Sequence, residues 1–322
     1  MSSIIIPAKK KVLRVGAFPT TRTLDELMMH KTVPGLHAGI DVTAHVTIRD
    51  PKKGIVKDYD FQCESFVANF LKLLVKEMRA DYGYGLVDSN GNIHSSNGRA
   101  WSSSDFNAMS SDANTFCFRG PQIGVGTTAP TPADHRMEKH LTHGIAAQNL
   151  SAATGVVSSA SKTVYNFEVT PNPGWSTDQW KHYFLRMDDG PAAGDIRYIL
   201  GNSNNDIYLY SYGDRLTSLS AIPATGNNFT ILTYGQVIHG SVGITAPVDD
   251  GNVTSTMTVT RTFTNSTGGS IDVSEFGFQV DIVTSVSSYP YMSILIIRDT
   301  QVAVTLLNTQ EMTVTYTFTV VA

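Results

Sequence analysis

Cysteine and charge are both scarce in this chain of 322 residues. Its two cysteines, Cys63 and Cys117, are too few for a disulfide framework or a cysteine metal cluster, so we expect two buried free thiols in a reducing compartment. Charged residues make up 16% of the chain, against about 25% in an average globular protein. The net charge of −4 also disfavours a nucleic-acid-binding surface.

Long apolar runs are absent as well. No stretch approaches the roughly 20 apolar residues of a membrane-spanning helix. The run Ile4-Ile5-Ile6 is far too short for the apolar part of a signal peptide, and the basic run Lys9–Lys11 follows it rather than precedes it. We therefore expect a soluble protein that has no membrane partner and is not secreted by the ordinary route.

Threonine, by contrast, recurs with a strict period near the carboxyl end of the chain. Every second residue is a threonine between 254 and 264 and again between 313 and 319. Alternation with period two places one set of side chains on each face of a strand, so the apolar set is buried and the threonines face solvent. This pattern is typical of an antiparallel β-sandwich. Two further separate strands are predicted at 293–299 and 302–307.

The same reading along the chain gives four regions. We predict an extended amino-terminal arm at 1–35, an α+β region at 36–120, a β-sandwich made of 121–162 plus 235–322, and a small β module inserted at 163–234. The α+β region includes a hairpin with its turn at 50–54, and one amphipathic helix at 62–80. The predicted fold class is mainly β: an antiparallel β-sandwich with an inserted small β module and one N-terminal amphipathic helix.

The strongest candidate for chemistry is a group of three histidines, His135, His140 and His143, with Asp134 and Glu138 close in sequence. Zinc accepts three histidines and keeps a fourth position for water, so a metal-dependent hydrolase is one hypothesis. The spacing does not match the helical His-Glu-x-x-His pair. We favour a polar, subunit-facing segment, and we predict no catalytic residue, no metal and no cofactor.

Aromatic residues of the predicted module are the candidate interaction surface. They are Trp175, Trp180, Tyr208, Tyr210 and Tyr212. The three tyrosines share one face of a strand, where exposed rings could stack on a host-surface glycan and buried rings would belong to a core or a subunit interface. We favour the buried alternative. The acidic pair Asp188 and Asp189 precedes Gly190 and favours a turn over the paired carboxylates of a glycosidase.

Several segments resemble modules of tailed-bacteriophage virion proteins. The first set is Ile123–Asp134, Val259–Asn265, Val273–Gly277 and Ile297–Asp299, which is similar to a "GTTAP…TRTFTN…EFG…RD" sandwich of phage tail and capsid-associated proteins. The second set is Trp180–Arg186, Gly190, Gly194–Arg197 and Asn202, which resembles a β-rich module of phage structural proteins. The third, Glu64–Phe70, resembles a helical segment near the start of such proteins.

This resemblance implies a non-enzymatic building block of the virion, assembled in the host cytoplasm. It would form a homo-oligomer and dock on other virion structural proteins of the tail, baseplate, neck or capsid surface. The resemblance supplies no catalytic residues. The alternative hypothesis is a receptor- or glycan-binding tail or fibre protein, and the hydrolase that uses the histidine group ranks behind both.

Overall fold

The computed structural model describes the chain in several ranges. They are residues 39–63, 65–68, 70, 86–87, 93–94, 120–209, 219–245, 247–249, 254–283 and 291–321. Within these ranges the protein is mainly β, as the sequence predicts. The predicted arm at 1–35, most of the predicted helix at 62–80, and the residues Cys117, Tyr210 and Tyr212 lie outside them.

Nineteen strands run through the described ranges. In chain order they are β1 Gly39–Asp50, β2 Gly54–Gln62, β3 Leu86–Val87, β4 Ile93–His94, β5 Gly120–Gly124, β6 Thr142–His143, β7 Leu150–Lys162, β8 Asn166–Thr170, β9 Phe184–Met187, β10 Ile196–Tyr198, β11 Gly201–Asn202, β12 Asp206–Tyr208, β13 Asn228–Thr233, β14 Gln236–Ile244, β15 Val248–Asp249, β16 Thr254–Thr264, β17 Ile271–Val283, β18 Tyr291–Leu306 and β19 Glu311–Val321. Strands β3 and β4 pair only with each other among the described residues.

The first large sheet has the strand order β2-β1-β19-β16-β14-β6, and the short strand β15 pairs with β16. The predicted hairpin at 36–60 is confirmed, because β1 and β2 pair antiparallel around the turn at 51–53. Strand β1 also pairs along its length with β19, from Gly39 opposite Val321 to Arg49 opposite Glu311. This pairing joins the two ends of the described chain in one sheet.

A three-stranded sheet, β18-β17-β5, shares its hydrophobic core with the first large sheet. The apolar residues of alternate positions in β1, β16 and β19 point into this core, where period-two alternation predicts them. Ring contacts link the two sheets: Phe278 lies 5.3 Å from Tyr316 and 5.1 Å from Phe318, measured between ring centroids. Cys63 is a free thiol within the same core and is 3% exposed.

The second large sheet has the order β10-β9-β13-β7-β8-β12-β11 and its own core, built around Phe167, Leu185 and Phe229. All seven strands come from residues 150–233. Strand β7 therefore pairs within this sheet, with β8 and β13, whereas the sequence-based boundary grouped residues 150–162 with the predicted β-sandwich of 121–162 plus 235–322. The chain leaves the first sheet after β6 and returns to it at β14, which pairs parallel with β6.

The strands predicted separately at 293–299 and 302–307 are one strand, β18. It stays paired with β17 throughout, but Val273 opposes Val304 while Glu275 opposes Thr300, so β18 bulges between these two pairs. The bulge exposes Val302, which is 89% accessible. Residues 301–303 of β18 lie opposite the single residue Ser274 of β17, and this interruption of the pairing falls at the gap between the two predicted strands.

Candidate functional site

The outer face of the first large sheet is an array of threonines. The register of β1, β19 and β16 aligns residues of all three strands in rows across this face. The rows are Thr43–Thr317–Thr258, His45–Thr315–Thr260 and Thr47–Thr313–Thr262. We call these nine residues the threonine face. The residues directly before and after each of them in the same strand point into the core. The face therefore follows directly from the alternation in the sequence.

Hydroxyl groups on this face bond to one another across strands. Thr260 and Thr315 are joined by a 2.8 Å hydrogen bond, and Thr262 and Thr313 by one of 2.9 Å. A hydroxyl that is satisfied by a neighbour leaves its γ-methyl group to face outward. The threonine face is therefore β-branched and moderately apolar, without a large apolar side chain.

The edge of the first sheet beside this face carries charge. His45 lies between two carboxylates of β2, with Nδ1 2.7 Å from Asp60 Oδ1 and Nε2 2.9 Å from Asp58 Oδ1. The pairing of β1 with β2 also shifts register near Val56, which lies in a bulge opposite Ile48 and Arg49. Charged side chains and a bulge are the features that keep an edge strand from pairing with another chain. The β2 edge of this sheet is therefore poorly suited to pairing with a further strand.

Four histidines meet where the first and second large sheets adjoin. His140 lies just before β6 and His143 is the last residue of β6. His239 lies in β14, and His182 comes from the loop before β9. Their ring centroids are 5.6 to 6.1 Å apart along the chain of contacts His182–His143–His239–His140. We call these four residues the histidine junction. The backbone carbonyl of His182 accepts hydrogen bonds from Thr142 and Gln236, which ties the second sheet to the first.

Hydrogen bonds set the tautomers of two of these rings. The backbone N–H of His239 donates to Nδ1 of His143 over 3.1 Å, so that nitrogen carries no proton. Nε2 of His239 lies 3.0 Å from the carbonyl oxygen of Leu141 and must donate to it. Nδ1 of His239 is then a buried acceptor with no hydrogen-bond partner. Both rings fit their surroundings as neutral imidazoles.

Burial and a nearby cation keep the junction uncharged. Burial, together with the positive charge of Arg261, lowers the pKa of His140 to about 3. The same two causes hold the pKa of His143 below its ordinary value and that of His239 well below it. Burial, with the charges of His143 and Lys181, lowers the pKa of His182 to about 4. At neutral pH the junction therefore packs as four polar but uncharged rings, three of which (His140, His143 and His239) lie near Arg261.

The histidines proposed for a metal thus separate. His140 and His143 belong to the junction, whereas His135 is a half-buried residue of the loop between β5 and β6. Asp134 and Glu138, placed near the histidines by sequence, bind Arg298 instead. Within the described ranges, no three histidine, cysteine or acidic side chains are arranged to hold a metal ion. The junction residues His182 and His239 and their neighbour Arg261 were not singled out in the sequence, although Arg261 occupies a core-facing position between Val259 and Phe263.

A second buried polar cluster surrounds Arg298. Its guanidinium contacts three carboxylates: Glu275 at 2.7 Å, Asp134 at 2.7 Å and Glu138 at 3.3 Å. Glu275 is fully buried and also accepts backbone N–H groups of Gly126, Glu138 and Lys139. We call this group the Arg298 network. It joins the segments Ile123–Asp134, Val273–Gly277 and Ile297–Asp299, which are far apart in the sequence.

Aromatic residues of the second sheet divide between core and surface. Trp175 and Trp180 pack against the second core, with their ring centroids 5.9 Å apart and nearly perpendicular. Trp180 also meets Tyr183 at 5.5 Å, and its indole N–H is buried. Tyr208 in β12 is 37% exposed. The two tryptophans therefore contribute to packing while staying half-buried, and Tyr208 is exposed.

Each acidic residue near Gly190 has a structural partner. Asp188 accepts hydrogen bonds from the side chains of Arg186 and Thr230. Asp189 accepts hydrogen bonds from the backbone N–H and the side-chain amide of Asn228. Asp195 lies 3.3 Å from Arg197 and accepts the backbone N–H of Ser220. The chain turns after β9, with Gly190 at a φ of 80°, as the Asp-Asp-Gly sequence predicts.

The described part of the chain contains no helix that is long and apolar enough to cross a membrane. No protein-family model matches the chain, and neither a curated protein nor a solved structure shows significant similarity to it.

Proposed function

We propose that this chain is a non-enzymatic structural protein of a tailed-phage virion, which assembles with copies of itself and docks on other virion proteins. The observation that carries the proposal is the threonine face. A sheet surface of satisfied hydroxyls and outward methyl groups costs little to desolvate, and its regular rows offer the same contacts to each neighbouring subunit. We assign this face to contact with a second copy of the chain.

The finer fold belongs to the same proposal. The first large sheet and the three-stranded sheet, which share one core, form a β-sandwich, and the second large sheet is a module inserted between β6 and β14. The virion assignment is supported by the Arg298 network, because motifs far apart in sequence meet there in one buried cluster. Such a cluster fits a shared structural role for the motif residues.

The assignment is tested by placing a bulky charge on the threonine face. Thr317 is central, between Thr43 and Thr258, so Thr317→Arg should disrupt contact between copies while the monomer stays folded. Thr177→Arg, in an exposed turn of the second sheet, is the matched control. We expect light scattering to show a lower mass for Thr317→Arg alone.

The same measurement on a chain that lacks residues 1–35 tests the predicted arm, which we propose reaches a neighbouring subunit. The shortened chain should keep the circular dichroism spectrum of a β protein. Its oligomers should have a lower mass than those of the full chain, by more than the deleted residues account for. An unchanged mass for both Thr317→Arg and the shortened chain, or a monomeric native protein at every concentration, would contradict the assembly proposal.

A further inference from the structure

A groove of about 530 Å3 lies on the outer face of the second large sheet, remote from the threonine face and the Arg298 network in the fold. Its floor is formed by β7 and the adjoining ends of β8 and β13. One wall is the segment Thr170–Pro173 that follows β8, and the other includes Asp188, just after β9. Strands β8 and β9 are separated by three inter-strand spacings, because β7 and β13 lie between them. The groove is therefore about 14 Å across.

The strand register places polar side chains in two rows across this face. In one row Val156 lies between Thr170 and Asn228. In the other Thr230 lies between Thr154 and Arg186. The alternate residues Val157 and Phe229 point into the second core. The polar face therefore comes from the same alternation that builds the core beneath it.

Hydrogen bonds fix the groove's polar groups in place. Asp188 receives one bond from Arg186 Nε at 2.8 Å and another from Thr230 Oγ1 at 2.6 Å, one on each carboxylate oxygen. Asn228 donates its backbone N–H and its side-chain amide to Asp189, which leaves the amide oxygen of Asn228 to accept from a ligand. Side chains held in this way lose little further freedom when they bind.

The chemistry of the lining selects the ligand class. The negative charge of Asp188 is matched by Arg186, so the groove favours neither an anion nor a cation. Thr154 and Thr170 offer hydroxyl groups, Asn172 and Asn228 offer amide groups, and Pro171 and Pro173 form a low apolar wall. Such a lining provides directional donors and acceptors with modest apolar area, as a neutral ligand rich in hydroxyl groups requires.

We propose that this groove is a binding site for a neutral saccharide chain. The site is separate from the assembly surface, and it differs from the aromatic surface expected from the sequence, because it uses hydroxyl, amide and carboxylate groups of β7, β8, β13 and the turn after β9. Asp188 and Asn228 bind sugar hydroxyl groups from one side, and Thr154 and Thr170 bind them from the other.

The test uses the full-length protein and an array of neutral oligosaccharides built from glucose, galactose, mannose and N-acetylglucosamine, with sialylated and sulfated glycans beside them. Any neutral glycan that binds is then titrated in solution against three variants. Asp188→Asn and Thr154→Val, which keep the shape of the side chain, should each weaken binding by about tenfold, the effect of losing one hydrogen bond of roughly 1.4 kcal/mol. Thr305→Val, at an exposed position of β18 outside the groove and the threonine face, is the control and should bind as the native chain does.

The proposal is overturned if no neutral glycan binds, if only the charged glycans bind, or if Asp188→Asn and Thr154→Val bind as tightly as the native protein. Circular dichroism of each variant confirms that the sheet is intact before binding is compared. Should a variant fail to fold, chemical-shift changes in the native protein decide the question, because the shifts must then centre on β7, β8 and β13.

Discussion

Arg298 and Arg261 are both almost completely buried, with 2% and 1% of their surfaces exposed, yet their surroundings differ. Arg298 is met by the carboxylates of Glu275, Asp134 and Glu138. Arg261 donates from Nε to the carbonyl oxygen of Gly240 and lies beside imidazoles that burial and its own charge keep neutral. One arginine is neutralised by ionised partners, and the other suppresses the ionisation of its neighbours.

The difference matters for how each region responds to solution conditions. The Arg298 network joins one arginine to three carboxylates, so ion pairs hold the β5 and β17–β18 segments together. The histidine junction depends on rings that stay unprotonated, and histidine is the side chain that ordinarily gains a proton just below neutral pH. We therefore expect the Arg298 network to be sensitive to mutation and the histidine junction to be sensitive to acid.

The largest expected effect comes from removing the arginine that the carboxylates surround. Arg298→Met keeps much of the side-chain volume but leaves Glu275 buried beside two other carboxylates without its cation. Breaking a buried ion pair from one side costs about 3–5 kcal/mol, and we expect a loss of that size in the free energy of unfolding. Urea denaturation at pH 7.5 measures it. A loss below about 1 kcal/mol would show that the network contributes no more than a surface pair does.

Lowering the pH should reduce the free energy of unfolding through the histidine junction, by less than the loss expected for Arg298→Met. The pKa of His140 is about 3 in the folded protein and 6.5 in the unfolded chain, so the unfolded chain binds more protons between these values. The stabilising effect of the neutral ring is complete above pH 6.5 and is lost as pH falls toward 3. Each such histidine contributes a slope of up to about 1.36 kcal/mol per pH unit, or about 2 kcal/mol between pH 6.5 and pH 5.

His140→Gln isolates this contribution, because glutamine can still bond to Gln122 but does not titrate in this range. We expect thermal and urea unfolding of the variant to depend less on pH between 4 and 6 than unfolding of the native chain. The two proteins are also compared at pH 8, where the histidine is neutral in both states, so that any cost of packing is measured separately. Equal slopes for the two proteins would refute the assignment of acid sensitivity to His140.

The sequence predicts the faces of these strands better than it predicts their partners. Alternation of threonine with apolar residues identifies β16 and β19 and tells which residues face the core, because a strand repeats every two residues. It does not tell that β1 pairs with β19, since pairing depends on contacts between segments some 270 residues apart that leave no local pattern. The register, and with it the rows of the threonine face, follows only from the assembled sheet.

The same dependence on contacts between distant segments explains why the sequence does not predict the histidine junction. Sequence grouped His135, His140 and His143 because they are near one another along the chain, whereas the fold brings His182 and His239 to His140 and His143 and leaves His135 in a loop. One local signal was available. Arg261 falls on the apolar parity of a strand whose neighbours at that parity are Val259 and Phe263, and a charged residue at a core position indicates a buried polar site.

The smallest expected effect is that of an exposed arginine paired with one carboxylate. Arg186 is bound to Asp188 at 2.8 Å, but their side chains are 46% and 30% exposed, so water and salt screen the attraction. We expect Arg186→Met to lower the free energy of unfolding by less than about 1 kcal/mol, measured in the same urea experiment as Arg298→Met. The two variants make the same chemical change, so the ratio of their effects measures what burial adds to an arginine–carboxylate contact. Comparable losses for the two would mean that exposure does not separate these sites, and the contrast between buried and surface arginines would have to be abandoned for this protein.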